Sequence, residues 1–193
     1  FHLISAAGGG FTAAPSVTGA QYSSMGLRSA GLVFTWGGTG PATQRNDISG
    51  VKVLVSGFQH VLALRADGKV WASGNNDFGQ MGVGVGISPP TAIPVPGLSD
   101  VIAVAAGTYH SVALKSDGTV WAWGYNGYGQ IGDGTLIDRF APTQVAGISN
   151  VVSIATGFGH VLAVKGDGTV WAWGDNGSGQ IGDGTLVNRS TPV

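Results

Sequence analysis

The chain contains no cysteine and no glutamate; all 10 acidic residues are aspartate. The first absence rules out disulfides, a thiol nucleophile, iron–sulfur ligation and cysteine-type zinc sites. The second rules out any mechanism that needs a glutamate, including the HExxH metalloprotease motif. Charge is scarce too, at 10% of residues with a formal net charge of −1. Without clustered Lys and Arg to neutralise phosphates, nucleic acid is not expected as a partner. Long apolar runs are missing although 43% of residues are hydrophobic. Gly, Asp, Asn or Gln interrupts each run well before the ~20 residues of a spanning helix, so no membrane span is expected.

Glycine is abundant, 35 of 193 residues, more than twice the usual ~7%. With no Glu and only 4 Lys, the chain lacks the residues that build surface helices, and strands and turns should dominate. The 6 Trp, 7 Phe and 4 Tyr are enough to fill a core, which argues against disorder. Phe1 in place of Met implies processing or a fragment.

The main signal is an internal repeat. His60, His110 and His160 are 50 residues apart, as are Trp71, Trp121 and Trp171, and Gln80, Gln130 and Gln180. Gly118 to Leu136 and Gly168 to Leu186 differ only at Tyr125/Asp175 and Tyr128/Ser178. An earlier, degenerate unit aligns Val33-Phe34-Thr35-Trp36-Gly37 with Val120 to Gly124 at an offset of 87, and the offset grows to about 100 from Pro41 onward. That unit has lost the glycine-rich loop carried by the others. The chain divides into a lead-in at 1–13, a degenerate repeat at 14–50, repeats at 51–100 and 101–150, and a C-terminally short repeat at 151–193. Gly8 to Gly10 reads as a flexible joint, and Leu3-Ile4-Ser5 as a closing strand.

Within a unit, Val101 to Ala106 reads as a strand buried on both faces. His110 to Lys115 and Thr119 to Trp123 form a hairpin around Ser116-Asp117-Gly118, since Asp-Gly between alternating strands is a strong turn signal. A fourth strand near Pro142 must lie at an edge, because proline cannot donate to a ladder. Four short strands per ~50 residues predict an all-β fold, a β-propeller of about four four-stranded blades.

The unit that runs from Val151 to Thr185, with its hairpin turn, paired tryptophans and GQxG loop in order, resembles the repeat of the regulator of chromosome condensation family, in its Gly- and Trp-rich, bacterial-looking form. The resemblance covers residues 14–193, most closely 51–193. It implies a β-propeller, and complete members have seven blades, so this chain holds about half a ring. A partial ring, a small closed ring, or one completed by another copy or a larger parent chain are the alternatives. An extracellular or bacterial cell-surface location is favoured.

His60, His110 and His160 occupy equivalent places on a ring and do not converge, which points to a structural role, the imidazole satisfying backbone groups between blades, and away from metal ligation. Gln80, Gln130 and Gln180 read as amide braces of the glycine-rich loop. Asp133 and Asp183 precede Gly as turn residues and match no calcium-loop pattern. Trp71, Trp121 and Trp171, the last two paired with Trp123 and Trp173, point to inter-blade packing, with an exposed carbohydrate-binding ladder as the alternative. No nucleophile elbow, P-loop or zincin motif occurs, so neither enzymatic activity nor a cofactor is expected. Where units differ, recognition has room to act. Phe78, Tyr125, Tyr128, Arg139 and Phe140 lie at such places and form the candidate protein-binding set. The expected function is a non-enzymatic protein-binding scaffold. The alternatives are a carbohydrate-binding propeller, an enzyme-inhibitor propeller and, by resemblance, a guanine-nucleotide exchange factor for a small GTPase.

Overall fold

The computed structural model describes residues 13–21, 23–37, 40–88 and 91–193. The expected closing strand at 3–5 and glycine joint at 8–10 lie outside them. The described residues form strands and no helix. Blade 1 holds β1 (Ser16–Gly19), β2 (Ser24–Leu27), β3 (Val33–Trp36) and β4 (Thr43–Arg45). Blade 2 holds β5 (Val51–Ser56), β6 (His60–Arg65), β7 (Val70–Gly74) and β8 (Ile93–Pro94). Blade 3 holds β9 (Val101–Ala106), β10 (His110–Lys115), β11 (Val120–Gly124) and β12 (Arg139–Gln144). Blade 4 holds β13 (Val151–Thr156), β14 (His160–Lys165) and β15 (Val170–Gly174). A fourth strand begins there, with Gly174 bridged to Arg189 and Val193 exchanging two 3.0 Å backbone bonds with Ala172. Every sheet is antiparallel and keeps chain order, so each blade is a meander and the fold is a propeller arc.

The hairpins follow from their turn residues. Lys115 N–H donates to Thr119 at 3.0 Å and Gly118 N–H to Lys115 at 3.0 Å, with Gly118 at φ 77°. The Asp117 carboxylate accepts from both the Thr119 N–H and its hydroxyl, at 3.0 and 2.6 Å. The longer arm of Glu would overshoot so local a bond, which gives the turn a reason to use Asp. Beyond each hairpin, a cation from the second strand caps an aromatic ring of the third: Lys115 over Trp121 at 5.8 Å, Lys165 over Trp171 at 5.3 Å and Arg65 over Trp71 at 5.5 Å.

The expectation for Val101 to Ala106 needs correction. β9 is an edge strand paired only with β10, and it lies beside β5 and β13 on the inner side of the arc. Val101 and Val104 are buried, but Ile102 is 46% exposed, because one side of this strand faces the centre of the arc. Pro142 does sit in an edge strand, β12, where the ladder slips between Ala122 and Gly124.

Blades are joined by a repeated seam. Trp123 of blade 3 is fully buried among Leu62, Leu64 and Val70 of blade 2. Trp173 of blade 4 is fully buried among Val112, Leu114 and Val120 of blade 3. Each indole N–H donates to the carbonyl of the preceding blade's glutamine, Gln80 at 2.9 Å and Gln130 at 3.0 Å. The seam between blades 1 and 2 is different. Ser73 stands where the other blades carry Trp, and blade 1 lacks the loop whose carbonyl would receive it. A cavity of about 380 Å³ lined by Ser23, Met25, Phe58 and Ser73 remains at that seam. At the far end of the arc, Val170 is 66% exposed while its equivalents Val70 and Val120 are fully buried.

Candidate binding face

Antiparallel order sends two sets of loops to opposite ends of the blades. One end carries the Asp-Gly hairpins. The other carries the turn before each repeated His and the glycine-rich loop after the third strand, and it is here that the units differ most.

The glycine-rich loops at this end are held from inside. Gln80 Oε1 accepts the Phe78 N–H at 2.9 Å, Gln130 Oε1 the Tyr128 N–H at 2.9 Å, and Gln180 Oε1 the Ser178 N–H at 2.8 Å. A second brace escaped the sequence reading. Buried Asn126 accepts the Ile131 N–H at 2.9 Å and donates to the Thr135 and Ile137 carbonyls, both at 3.1 Å; Asn176 repeats all three bonds with Ile181, Thr185 and Val187, and Asn76 repeats the role in part. The 50-residue recurrence of this Asn was the available signal.

The histidines lie under the same end. His60 is buried and its Nε2 is 2.9 Å from the Ser111 hydroxyl of the next blade. That hydroxyl donates its one proton to the Gln80 carbonyl at 2.7 Å, so the imidazole must be the donor to Ser111 and is neutral with its proton on Nε2. The cross-blade partner is thus a hydroxyl, whereas sequence reasoning expected a backbone group. Among the described residues His110 has no partner on either nitrogen, because blade 4 has Val161 at the place of Ser111. Burial pushes His60 down to about 4 and, with help from neighbouring His60 and His160, His110 down to about 3. Gly57, Gly107 and Gly157 are needed because any Cβ there would overlap the ring of the following histidine. Among the described residues no three His, Cys, Asp or Glu side chains are placed to hold a metal ion. Asp133 is engaged by Arg139 (Nε 2.6 Å) and by the Thr135 N–H at 2.9 Å, and Asp183 by Arg189 in the same way.

On this framework the structure brings together Phe78, Tyr125 and Tyr128. Phe78 and Tyr125 stack edge-on at 5.3 Å between centroids, and Tyr125 and Tyr128 at 5.8 Å. The row continues through Tyr109, 5.1 Å from Phe78, to Phe58 at 5.8 Å. Phe78, Tyr109, Tyr125, Tyr128 and Phe158, the last 65% exposed, line a cavity of about 260 Å³ with Gln130 and Gly159. Tyr109, Phe58 and Phe158 were missed in the sequence, although the two residues before each repeated His vary (Phe58-Gln59, Thr108-Tyr109, Phe158-Gly159) and so carried the signal. Arg139 and Phe140 are not among the lining residues. Arg139 pairs with Asp133. Phe140 lies against Gly79 of the blade 2 loop, and its carbonyl accepts the Gly84 N–H at 2.9 Å.

The paired tryptophans divide. Trp123 and Trp173 are fully buried, and Trp71, Trp121 and Trp171 of the expected ladder are partly exposed. Among the described residues no helix is long and apolar enough to cross a membrane.

Comparison with known proteins agrees with the repeat. The family described as Regulator of chromosome condensation (RCC1) repeat matches residues 67–114 and 117–164 in one form and residues 51–80, 101–130 and 151–180 in another. No curated protein matches the chain. Among solved structures, Prp20p from Saccharomyces cerevisiae superimposes with a TM-score of 0.82 at 23% identity, over 92% of this chain and 49% of that one. Human WBSCR16 gives 0.80 at 24% identity, over 92% and 52%. The receptor kinase CR4 ectodomain from Physcomitrella patens gives 0.55 at 21% identity, over 87% and 44%. The chain therefore spans about half the length of these structures, and at such identities they show its fold alone. The repeats across residues 51–180 place this chain in the regulator of chromosome condensation repeat family.

Proposed function

We propose that this chain is a non-enzymatic scaffold that binds a protein through the aromatic row at the loop end of blades 2 to 4. The observation that carries the reading is the convergence of Phe78, Tyr125 and Tyr128, from loops that differ between otherwise matching blades, with Tyr109 and Phe158 around one cavity. Aromatic side chains give a large contact area at little entropic cost and are enriched where proteins bind proteins. Arg139 and Phe140 act in support, by fixing the loops that carry the rings. Prp20p is described by its binding to Gsp1p and histones, which agrees with a binding role for this kind of propeller. A pull-down with the chain as bait tests the reading. The Tyr125→Ala/Tyr128→Ala double variant should lose most of the captured partner, and retention at full strength would sink the assignment. Accelerated guanine-nucleotide release from a small GTPase, or a glycan-array signal that depends on Trp121 or Trp171, would favour the alternatives.

A second observation supports a proposal about assembly. The outer face of blade 4 has the features of a seam without its cover: Val170 is exposed, and Leu162, Val164 and Ile181 are half-buried where their blade 2 and 3 equivalents are buried. At the other end of the arc Trp36 occupies the strand position of Trp123, pairing with Ser24 as Trp123 pairs with Ser111. A further blade of this type, its indole directed at the Gln180 carbonyl, would bury the face. In the 193-residue chain by itself, blade 1 of a second copy supplies that indole. Light scattering should then find a dimer that Trp36→Ala dissociates; a monomer would reject the proposal.

A further inference from the structure

We infer that the cavity ringed by Phe78, Tyr109, Tyr125, Tyr128 and Phe158 takes a positively charged side chain, arginine before lysine, from a basic segment of the partner. The inference rests on the protein-binding reading and specifies the chemistry of what is bound. Its first support is the lining. Five of the seven residues around the cavity are aromatic, and the negative face of an aromatic ring attracts a cation within about 6 Å of its centroid. The same molecule uses the attraction elsewhere, in the Lys115–Trp121 and Lys165–Trp171 contacts. Guanidinium also stacks on such rings and is more weakly hydrated than ammonium, which favours arginine in a partly dry site.

The second support is charge. Apart from Arg45 and Asp47, which pair with each other, the fold sorts the chain's few charges between its two ends. The loop end carries Asp77, Asp133, Asp138, Asp175 and Asp183 against Arg139 and Arg189, and both arginines are held by Asp133 and Asp183. The hairpin end carries Arg28, Lys52, Arg65, Lys69, Lys115 and Lys165 against Asp67, Asp100, Asp117 and Asp167. A net charge near neutral thus conceals an acidic end and a basic end. Among the described residues no ion pair engages Asp77, Asp138 or Asp175. One of these carboxylates, Asp175, adjoins the cavity at Gly159. A Cβ at Gly159 would lie 3.0 Å from Tyr128 Cδ2 and 3.3 Å from Asp175 Cβ, so Asp175 and the Tyr128 ring flank the same stretch of backbone. Asp138 acts on the Tyr125 phenol, which burial, Tyr128 and Asp138 together push up.

Gly159 explains why the cavity is open. The equivalent positions carry Gln59 and Tyr109, and a side chain at 159 would enter the space beside Tyr128.

The test is calorimetric titration of the intact chain with a Gly/Ser dodecapeptide bearing three arginines, against the same peptide with citrulline, the uncharged near-isostere, or glutamate at those places. The arginine peptide should bind about tenfold more tightly than the citrulline peptide. Asp138→Asn with Asp175→Asn should weaken it by about fivefold. Gly159→Gln should abolish binding with the aromatic residues left in place. Equal affinity for arginine and citrulline, or full arginine binding by Gly159→Gln, would overturn the inference. If a captured protein still depends on Tyr125 and Tyr128 while the peptides bind alike or not at all, the cationic ligand is refuted and the protein-binding reading stands. Loss of both refutes the two together.

Discussion

Replacing Val161 by Thr should stabilise this protein, although putting a hydroxyl into a packed apolar core ordinarily destabilises it. Val161 is fully buried at the seam between blades 3 and 4, at the place Ser111 holds in the preceding seam. Ser111 bridges His60 Nε2 at 2.9 Å and the Gln80 carbonyl at 2.7 Å. At the blade 3–4 seam the histidine is present as His110, with both ring nitrogens unpartnered, and the Gln130 carbonyl accepts Trp173 Nε1 at 3.0 Å, which leaves it room for a second donor. A threonine hydroxyl at 161 would meet both groups. Two new hydrogen bonds contribute about 1 kcal/mol each, and one relieves a buried orphan that costs about 1–3 kcal/mol. Against this stand the loss of one buried methyl group, about 1 kcal/mol, and the desolvation of the new hydroxyl, about 1–3 kcal/mol. The net expectation is a gain on the order of 1 kcal/mol, read as a shift of the urea midpoint at unchanged slope. The reciprocal change, Ser111→Ala, should orphan His60 Nε2 and cost about 1–3 kcal/mol. Destabilisation of Val161→Thr by 1 kcal/mol or more, with Ser111→Ala neutral, would refute the seam chemistry.

Mild acid should destabilise the fold. His60 and His110 are held neutral at pKa values of about 4 and about 3, so the unfolded chain, with histidines near 6.5, binds more protons below that pH and stability falls as pH drops. At pH 5 the loss is about 2 kcal/mol per histidine, measurable by denaturant titration at pH 7 and pH 5; equal stability at the two would contradict it. The two tryptophans of one strand should differ sharply. Trp123→Ala removes a fully buried, hydrogen-bonded ring at a cost of about 3–5 kcal/mol, while the part-exposed Trp121→Ala costs about 1 kcal/mol, and equal thermal shifts would count against the seam. Asp133→Asn leaves Arg139 without its ion-pair partner and should speed amide exchange across residues 133–140 with little change in global stability, since the Arg139 side chain is 32% exposed and keeps its hydration.

The architecture was readable because a blade is specified locally. Asp117-Gly118 sets a turn, Pro142 sets an edge, and recurrence every 50 residues states that the same unit is used again. What the sequence hid was contact between blades. The four tryptophans of the last two repeats look alike along the strand, yet packing buries Trp123 and Trp173 and leaves Trp121 and Trp171 near the surface, since the latter lie toward the hairpin and outer strand. His110 shows the same limit: its identity repeats, but its partner is decided by Val161 in another blade. The aromatic row was half legible. Phe78, Tyr125 and Tyr128 stood out as differences between units, whereas Tyr109 and Phe158 come from a different loop and join them only when neighbouring blades are set side by side.

The central claim is that recognition occurs at the aromatic, acidic end of the blades. Hydrogen exchange of the chain with and without its captured partner tests it most directly. Protection confined to residues 57–60, 75–80, 107–110, 125–130 and 157–160 is the expected result. Protection at the hairpin turns 65–69, 115–119 and 165–169 instead would contradict it.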